Sequence, residues 1–436
     1  MALAFLKDAA CFFKSSTEVF AWIGQYINFE QVAAPKKFSL ERMYRLAARA
    51  GNPEKSVPVI HIAGSKAKGS VAALCSALLE AAGFTVILYT SPHLTDYRER
   101  IKLGTGFLEE SVYCAAGDEM RAVIEESGEE PTFFEACTLF FFLCMRSSSC
   151  DYAVVETGLG GRLDATNIVE PILSLITPIE LEHTQYLGTT VAAIAREKAG
   201  IIKPNRPVIV AEQDPEAYRV LKQYAEEQHA PFYYVPEYVT LNALKVTVNG
   251  TSFSYCQNGT PPFPLSLSLH GAIQAQNASV AVFAIRQIIP TLEDTLIYKA
   301  LSAVKIPGRF ERVSTAPLCV RDGAHTPLSF RATVKTFCTL YGHDGVLLFA
   351  CAADKDFRTM VQHAVPHFSQ IIISTPGFFK ASNPSAVYQY AINEAAPVHL
   401  SLIEDPHQAI AYAKAVATTL NKALLITGSF YLIALV

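Results

Sequence analysis

The sequence predicts an α/β protein of two domains, each built on a parallel sheet, and three observations predict it. From residue 57 to about 210, short runs rich in Val, Ile and Leu alternate with longer helical patterns. A second series of the same kind begins near residue 307. Between the first apolar run and the helix after it lies a small-residue turn centred on lysines, the anatomy of a phosphate cradle. A chain of 436 residues is also too long for one ordinary core.

In chain order, residues 57–63, 84–89, 152–156, 172–177 and 207–210 read as strands. Runs so continuously apolar imply strands buried on both faces, hence a parallel sheet covered by helices on each side. Residues 71–82 carry small and apolar side chains on most faces and end at Gly83, which predicts a buried helix with a glycine stop. The longest apolar stretch, 133–145, contains Glu135 and falls well short of the roughly 20 residues a membrane helix needs, so it reads as a second buried helix. Residues 231–269 alternate aromatic and β-branched side chains around Asn249-Gly250, Asn258-Gly259 and Pro261-Pro262, predicting strands and turns that extend the first domain. Helical patterning returns at 272–289 and runs to about 304. The second series then places strands at 318–320, 346–351, 370–374, 398–402 and 423–427, which sets the expected boundary at residues 1–306 and 307–436. Two such domains form a cleft at the carboxyl ends of their strands, where ligands bind.

Composition narrows the function. A net charge of −4 gives no basic footprint for nucleic acid, and small anionic substrates need only a few local cations. Ten cysteines without C-x-x-C or His-rich metal spacing read as reduced thiols in a cytoplasmic protein. Lys7, Asp8 and Lys14 interrupt the apolar start before a signal-peptide core can form, so neither export nor membrane insertion is expected.

The turn itself is Gly64, Ser65, Lys66, Ala67, Lys68, Gly69 and Ser70. Its backbone amides and the positive end of the next helix suit phosphate oxygens, Lys68 neutralises the β/γ-phosphate charge, and ATP is the expected ligand. It departs from G-x-x-x-x-G-K-[ST]: Ala67 precedes the lysine where glycine should stand, and Ser70 follows Lys68 by two positions. Alanine in a left-handed conformation costs roughly 1 to 2 kcal/mol, and Lys66 adds a cation that could offset part of it.

Four downstream segments extend this pattern: Y-T-S-P-H-L at 89–94, V-E-T-G-L-G-G-R-L-D-A-T-N at 155–167, L-E-H-T at 181–184 and R-E-K-A-G-I-I-K at 196–203. Together with the loop they resemble the folylpolyglutamate synthase/dihydrofolate synthase family of the Mur ligase superfamily, from about residue 38 to the C-terminus. The resemblance implies a P-loop ATPase-like first domain and a smaller Rossmann-like second one. It also implies a reaction in which ATP phosphorylates a carboxylate and the amine of L-glutamate displaces phosphate from the acyl phosphate, the acceptors being dihydropteroate and reduced folates. A monomer is expected.

By the same resemblance, Ser91 and Glu156 hold Mg2+ and His183 binds a second ion, although Glu182 stands where the family usually has Asp. Lys198 matches a lysine that is carbamylated. Asn277 in Q-A-Q-N-A, Arg309 in P-G-R-F-E, and Asp322 and His325 in D-G-A-H-T-P match nucleotide-side residues; Ile273 and Thr326 replace the family's histidine and asparagine. Asp354-Lys355-Asp356 matches a D-K-D segment that a solvated loop explains equally simply. Thr132, Phe134 and Glu135 match a T-Y-F-E segment whose ring can stack on a pterin; core packing explains these phenylalanines as readily. The stretch 35–38, P-K-K-F, falls where the family carries a dihydropteroate-contacting loop. Two other readings stay open: a Mur-type ligase for another carboxylate, and a non-catalytic nucleotide- or folate-binding relic. About 56 residues precede the first strand, fewer than the N-terminal domain of cell-wall Mur enzymes requires.

Overall fold

Three sheets organise the chain in the computed structural model, which describes residues 11–29, 39–377, 380–394 and 399–436. The first sheet contains β1 (Val59–Ala63), β2 (Val86–Tyr89), β3 (Ile101–Leu103), β4 (Gly106–Phe107), β5 (Tyr152–Glu156), β6 (Leu173–Ile176), β7 (Val208–Val210) and β8 (Phe232–Tyr234). Their order is β4-β3-β2-β5-β1-β6-β7-β8. From β2 to β8 all neighbours are parallel. All five residues of β1, V-I-H-I-A, are buried, as a central strand between two helical layers demands.

Beyond β2 the sheet ends in two antiparallel strands that patterning did not mark, β3 against β2 and β4 against β3. These strands are three and two residues long, and both β4 residues are exposed, so no apolar run marked them. At the other edge β8, Phe-Tyr-Tyr, is half-buried along its length.

The second sheet is β9 (Val239–Thr247), β10 (Gly250–Gln257) and β11 (Phe263–Leu267), in the order β11-β10-β9, with Tyr255 opposite Phe263 in an antiparallel pair. The third holds β12 (Glu311–Thr315), β13 (Leu318–Asp322), β14 (Gly345–Phe349), β15 (Phe368–Ile373), β16 (His399–Leu402) and β17 (Leu424–Thr427), in the order β12-β13-β17-β14-β15-β16. It is parallel apart from β12 on its edge. The chain divides into two compact units, Met1–Val239 with Val280–Ile297, and Thr240–Ser279 with Tyr298–Val436. Residues 240–279 and 298–306 fall in the second of these units.

In the first unit the helix Phe133–Ser147 is buried from Phe133 to Met145 except at Phe134, and its Phe and Leu side chains join those of β2 and β5 in one core. This is the buried helix expected at 133–145. Among the described residues no helix is long and apolar enough to cross a membrane. The parallel register sets Ile62 beside Glu156 and Ala63 beside Ile176. The carboxyl ends of β1, β5 and β6 thus open on one edge.

Candidate active site

At that edge β1 turns into the loop at Gly64, whose φ is 153° and where a Cβ would collide with the Thr177 hydroxyl. Only glycine fits. Ser65 N and Lys66 N both donate to Pro178 O, at 3.0 and 3.2 Å, and the Thr177 hydroxyl donates to Lys66 O at 2.5 Å. Ala67 adopts the left-handed conformation that its place in the loop suggested, with φ 64°, and the helix Lys68–Ala81 starts at the next residue. Lys66 forms an ion pair with Glu180, whose carbonyl also accepts from the Ser65 hydroxyl. The extra cation is thereby partly neutralised.

Two lysines converge on one carbonyl: Lys68 Nζ lies 3.1 Å from Gly64 O, and Lys198 Nζ lies 2.8 Å from it. Lys198 comes from the helix Val191–Ala199, which Thr190 caps by accepting from Ala193 N. It is 1% exposed and pairs with Glu182 Oε1 at 2.9 Å. Burial drives its pKa down, and Lys68 adds to that, while Glu182 opposes. Burial works to raise the Glu182 carboxyl, but Lys198, Lys68 and His183 together outweigh it and hold it at about 2. His183 is exposed, with φ 45°, at the start of the one-turn helix Thr184–Leu187.

Glu156 ends β5 buried, and its Oε2 accepts from Ser91 N at 3.1 Å. A Cβ at Gly69 would stand 3.2 Å from the same oxygen, so the carboxylate lies against the first turn of the loop's helix. Ser91 and Glu156, chosen from separate segments, are thus brought together. The next residue, Thr157, carries a buried hydroxyl with no hydrogen-bond partner among the described residues. Carboxylate and hydroxyl oxygens are the hard donors Mg2+ prefers, so this corner fits that ion.

Sequence reasoning missed the group that shapes this corner. Asp164 accepts from Gly158 N, Leu159 N, Thr166 N and the Thr166 hydroxyl, folding the loop after β5 around one buried carboxylate. Because Thr166 donates to Asp164 at 2.5 Å, its oxygen accepts from His61 Nε2 at 2.8 Å, which puts the imidazole proton on Nε2. Among the described residues His61 Nδ1 has no partner, and burial, aided by Lys203, lowers the ring's pKa to about 3. The D-A-T spacing of an Asx turn was the available signal for Asp164; nothing in the sequence marks the His61 contact.

Thr132 and Glu135 form a reciprocal capping box on the helix Phe133–Ser147, and Glu135 also takes Arg42 at 2.7 Å. Their side chains therefore fix the helix start. Phe134 between them stays half-buried, its ring against Gly158, where a Cβ would meet Phe134 Cζ at 2.5 Å. The stretch 35–38 lies outside the described residues.

In the second unit, Asp322 ends β13 buried and accepts from Phe310 N at 2.7 Å, Ala324 N at 2.8 Å and the Thr333 hydroxyl at 2.9 Å. Burial raises its pKa against the pull of Arg309 and these donors. The Arg309 guanidinium lies 4.6 Å from the Phe430 ring centre, and His325 Nδ1 is 2.9 Å from Gly323 O. Asp322 thus ties together the two turns that carry Arg309 and His325. Asn277 is buried and donates to Gln274 at 3.0 Å. Asp354 pairs with Lys355 at 3.2 Å, and Asp356 caps the helix Phe357–Ala364.

Residues 62–285 match the Mur ligase middle domain, and residues 308–430 match the Mur ligase glutamate ligase domain. The dihydrofolate synthase/folylpolyglutamate synthase of Bacillus subtilis is 32% identical over 409 residues, spanning 91% of this chain and 94% of that protein. Folylpolyglutamate synthase of Mycobacterium tuberculosis, solved with ADP and AMPPCP, superposes with a TM-score of 0.86 at 27% identity over 96% of both chains. The E. coli FolC complex with DHPP and ADP gives 0.80 at 27% identity, again over 96% of both.

Proposed function

Since this chain belongs to the Mur ligase family, in its dihydrofolate synthase/folylpolyglutamate synthase group, we propose that it joins L-glutamate to dihydropteroate and to reduced folates at the expense of ATP. An acceptor carboxylate oxygen attacks the γ-phosphorus and ADP leaves. The glutamate nitrogen then attacks the acyl carbon, loses its proton, and phosphate departs with the bonding pair.

The observation that carries this reading is the convergence of Lys68, Lys198 and Glu156 on the Gly64–Gly69 turn. Gly64, Ser65, Lys66, Ala67, Lys68, Gly69 and Ser70 wrap the phosphates. Lys68 offsets the charge that grows as the γ-phosphoryl group transfers. Ser91 and Glu156 are the residues that would hold Mg2+ and His183 a second ion; bound metal would neutralise phosphate charge and orient the γ-phosphoryl group. Lys198 is the residue we assign to carbamylation. Burial together with Lys68 favours the neutral amine that CO2 requires.

Arg309, His325 and Asn277 serve the nucleotide, with Asp322 positioning the first two. Phe134 offers its ring to the pterin, held by the Thr132 and Glu135 cap. Buried thiols such as Cys75 and Cys144 suit the reducing cytoplasm.

The test incubates the protein with ATP, Mg2+ and L-glutamate, plus dihydropteroate or tetrahydrofolate, and follows ADP and product mass. One added glutamyl unit per ADP is expected, with Glu156→Gln lowering turnover about 100-fold or more and leaving the thermal transition in place. Acceptor-independent ADP release by the folded protein, or a fully active Gln variant, overturns the reading.

A further inference from the structure

The second unit carries a cluster of metal-binding side chains that uses none of the residues assigned above. Cys338 lies near the end of the helix Pro327–Tyr341, His343 in the turn that follows, and His367 just before β15. One donor atom from each lies within 4.8 Å of the other two. The two imidazoles face each other with Nδ1 atoms 2.9 Å apart and ring centres 4.9 Å apart. His343 is exposed and the other two are half-buried, so the cluster is open to ions from solvent.

The backbone fixes all three positions. Gly342, with φ 82°, turns the chain out of the helix, and its N–H donates to Cys338 O at 3.0 Å. Asp344 N donates to His367 O at 2.9 Å, and the Ser369 hydroxyl to Asp344 O at 2.5 Å. These bonds stand at the head of the parallel β14–β15 pair, whose register begins at Gly345 and Phe368. Beneath, the Phe337 ring packs against Phe368 at 5.5 Å and Tyr341 at 5.3 Å. The donors are therefore held by a sheet end and a helix end rather than by a loose loop.

We propose that Cys338, His343 and His367 form a binding site for a zinc-class divalent transition ion, with a fourth position open to water. One thiolate and two neutral imidazoles suit zinc or cobalt and discriminate against Mg2+, which takes oxygen donors. On a tetrahedral ion with nitrogen bonds of about 2.0–2.1 Å, two imidazole nitrogens stand about 3.4 Å apart. The observed pair opens by about half an ångström to admit it. The Cys338 proton passes to solvent as the thiolate binds. The bound ion staples a helix end to the start of a central sheet pair.

The experiment uses the full chain, freed of metal on a chelating resin, and titrates it with Co2+ alone. One equivalent should bind with a thiolate-to-cobalt charge-transfer band, unchanged by excess Mg2+ and displaced by Zn2+. Cys338→Ser should abolish the band, and His343→Gln, an exposed substitution that spares the fold, should weaken binding about 10-fold or more. His399→Gln, at another exposed histidine, should leave binding unaltered. Absence of the charge-transfer band, or equal affinity in His343→Gln and the parent chain, overturns the site.

Discussion

Lys198 and Glu182 form a buried ion pair with Nζ and Oε1 2.9 Å apart, and the same ammonium reaches the carbonyl of Gly64 in the phosphate loop. The pair links the helix Val191–Ala199 to the loop through one cation.

With Lys198 uncarbamylated, removing the acid strands that cation. Glu182→Gln is expected to cost about 3 to 5 kcal/mol, because a buried charge left without its partner loses far more than the pair gained. Denaturant unfolding measures it, and a loss below about 1 kcal/mol would falsify the pairing. The Glu182 carboxyl is held at about 2, below its value of 4.5 in the unfolded chain. Its stabilisation is therefore complete above about pH 4.5 and is lost as pH falls from there through 2.

Ala67→Gly should stabilise the protein. Ala67 sits at φ 64°, which costs an alanine about 1 to 2 kcal/mol and a glycine almost nothing. The freer unfolded glycine chain takes back about 0.5 to 1 kcal/mol, leaving a gain of up to about 1.5 kcal/mol. A higher denaturant midpoint is the expected result; a lower one would show that the left-handed turn is not populated.

Gly158 and Phe134 should be energetically coupled. Gly158→Ala pushes a methyl into the Phe134 ring and is expected to cost about 1 to 3 kcal/mol. In a Phe134→Ala background the same change should cost less, by about 0.5 kcal/mol or more. Strict additivity in a double-mutant cycle would remove the contact. If the ring also meets the pterin, Gly158→Ala should raise the acceptor KM more than it lowers kcat.

His61 predicts a pH dependence of stability. Its pKa is near 3 when folded and 6.5 when free, so the unfolded chain binds the proton first. Stability from this group is full above about pH 6.5 and declines as pH falls toward 3. His61→Gln keeps a donor for Thr166 and removes the titration. Thermal melts at pH 7 and pH 5 should differ less in the variant than in the parent chain; equal differences would show that His61 titrates normally in the fold.

Much of this was legible beforehand because it is local. An apolar run breaking at Gly64 and the glycines and lysines of the loop act over a few residues, and each emerged where patterning put it. Glu182 was visible only as a substitution beside His183, because its contact lies 16 residues away at Lys198. Thr132 and Glu135, matched to a substrate segment, turned out to spend their polar atoms on a helix start. The strands β3 and β4 escaped notice because edge strands that short bury too little to need an apolar code.

By itself the sequence determined the two α/β series, the phosphate turn and the residue types of the ligase chemistry, since hydrophobic period and backbone permissiveness are properties of neighbouring residues. Tertiary structure alone decided which charges meet. The parallel order β5-β1-β6 puts Glu156, Gly64 and Thr177 on one edge, burial turns His61 neutral and makes Lys198 depend on Glu182, and the β14–β15 pair sets His343 against His367. Those outcomes depend on distance and on exclusion of water, which exist only once the chain is folded.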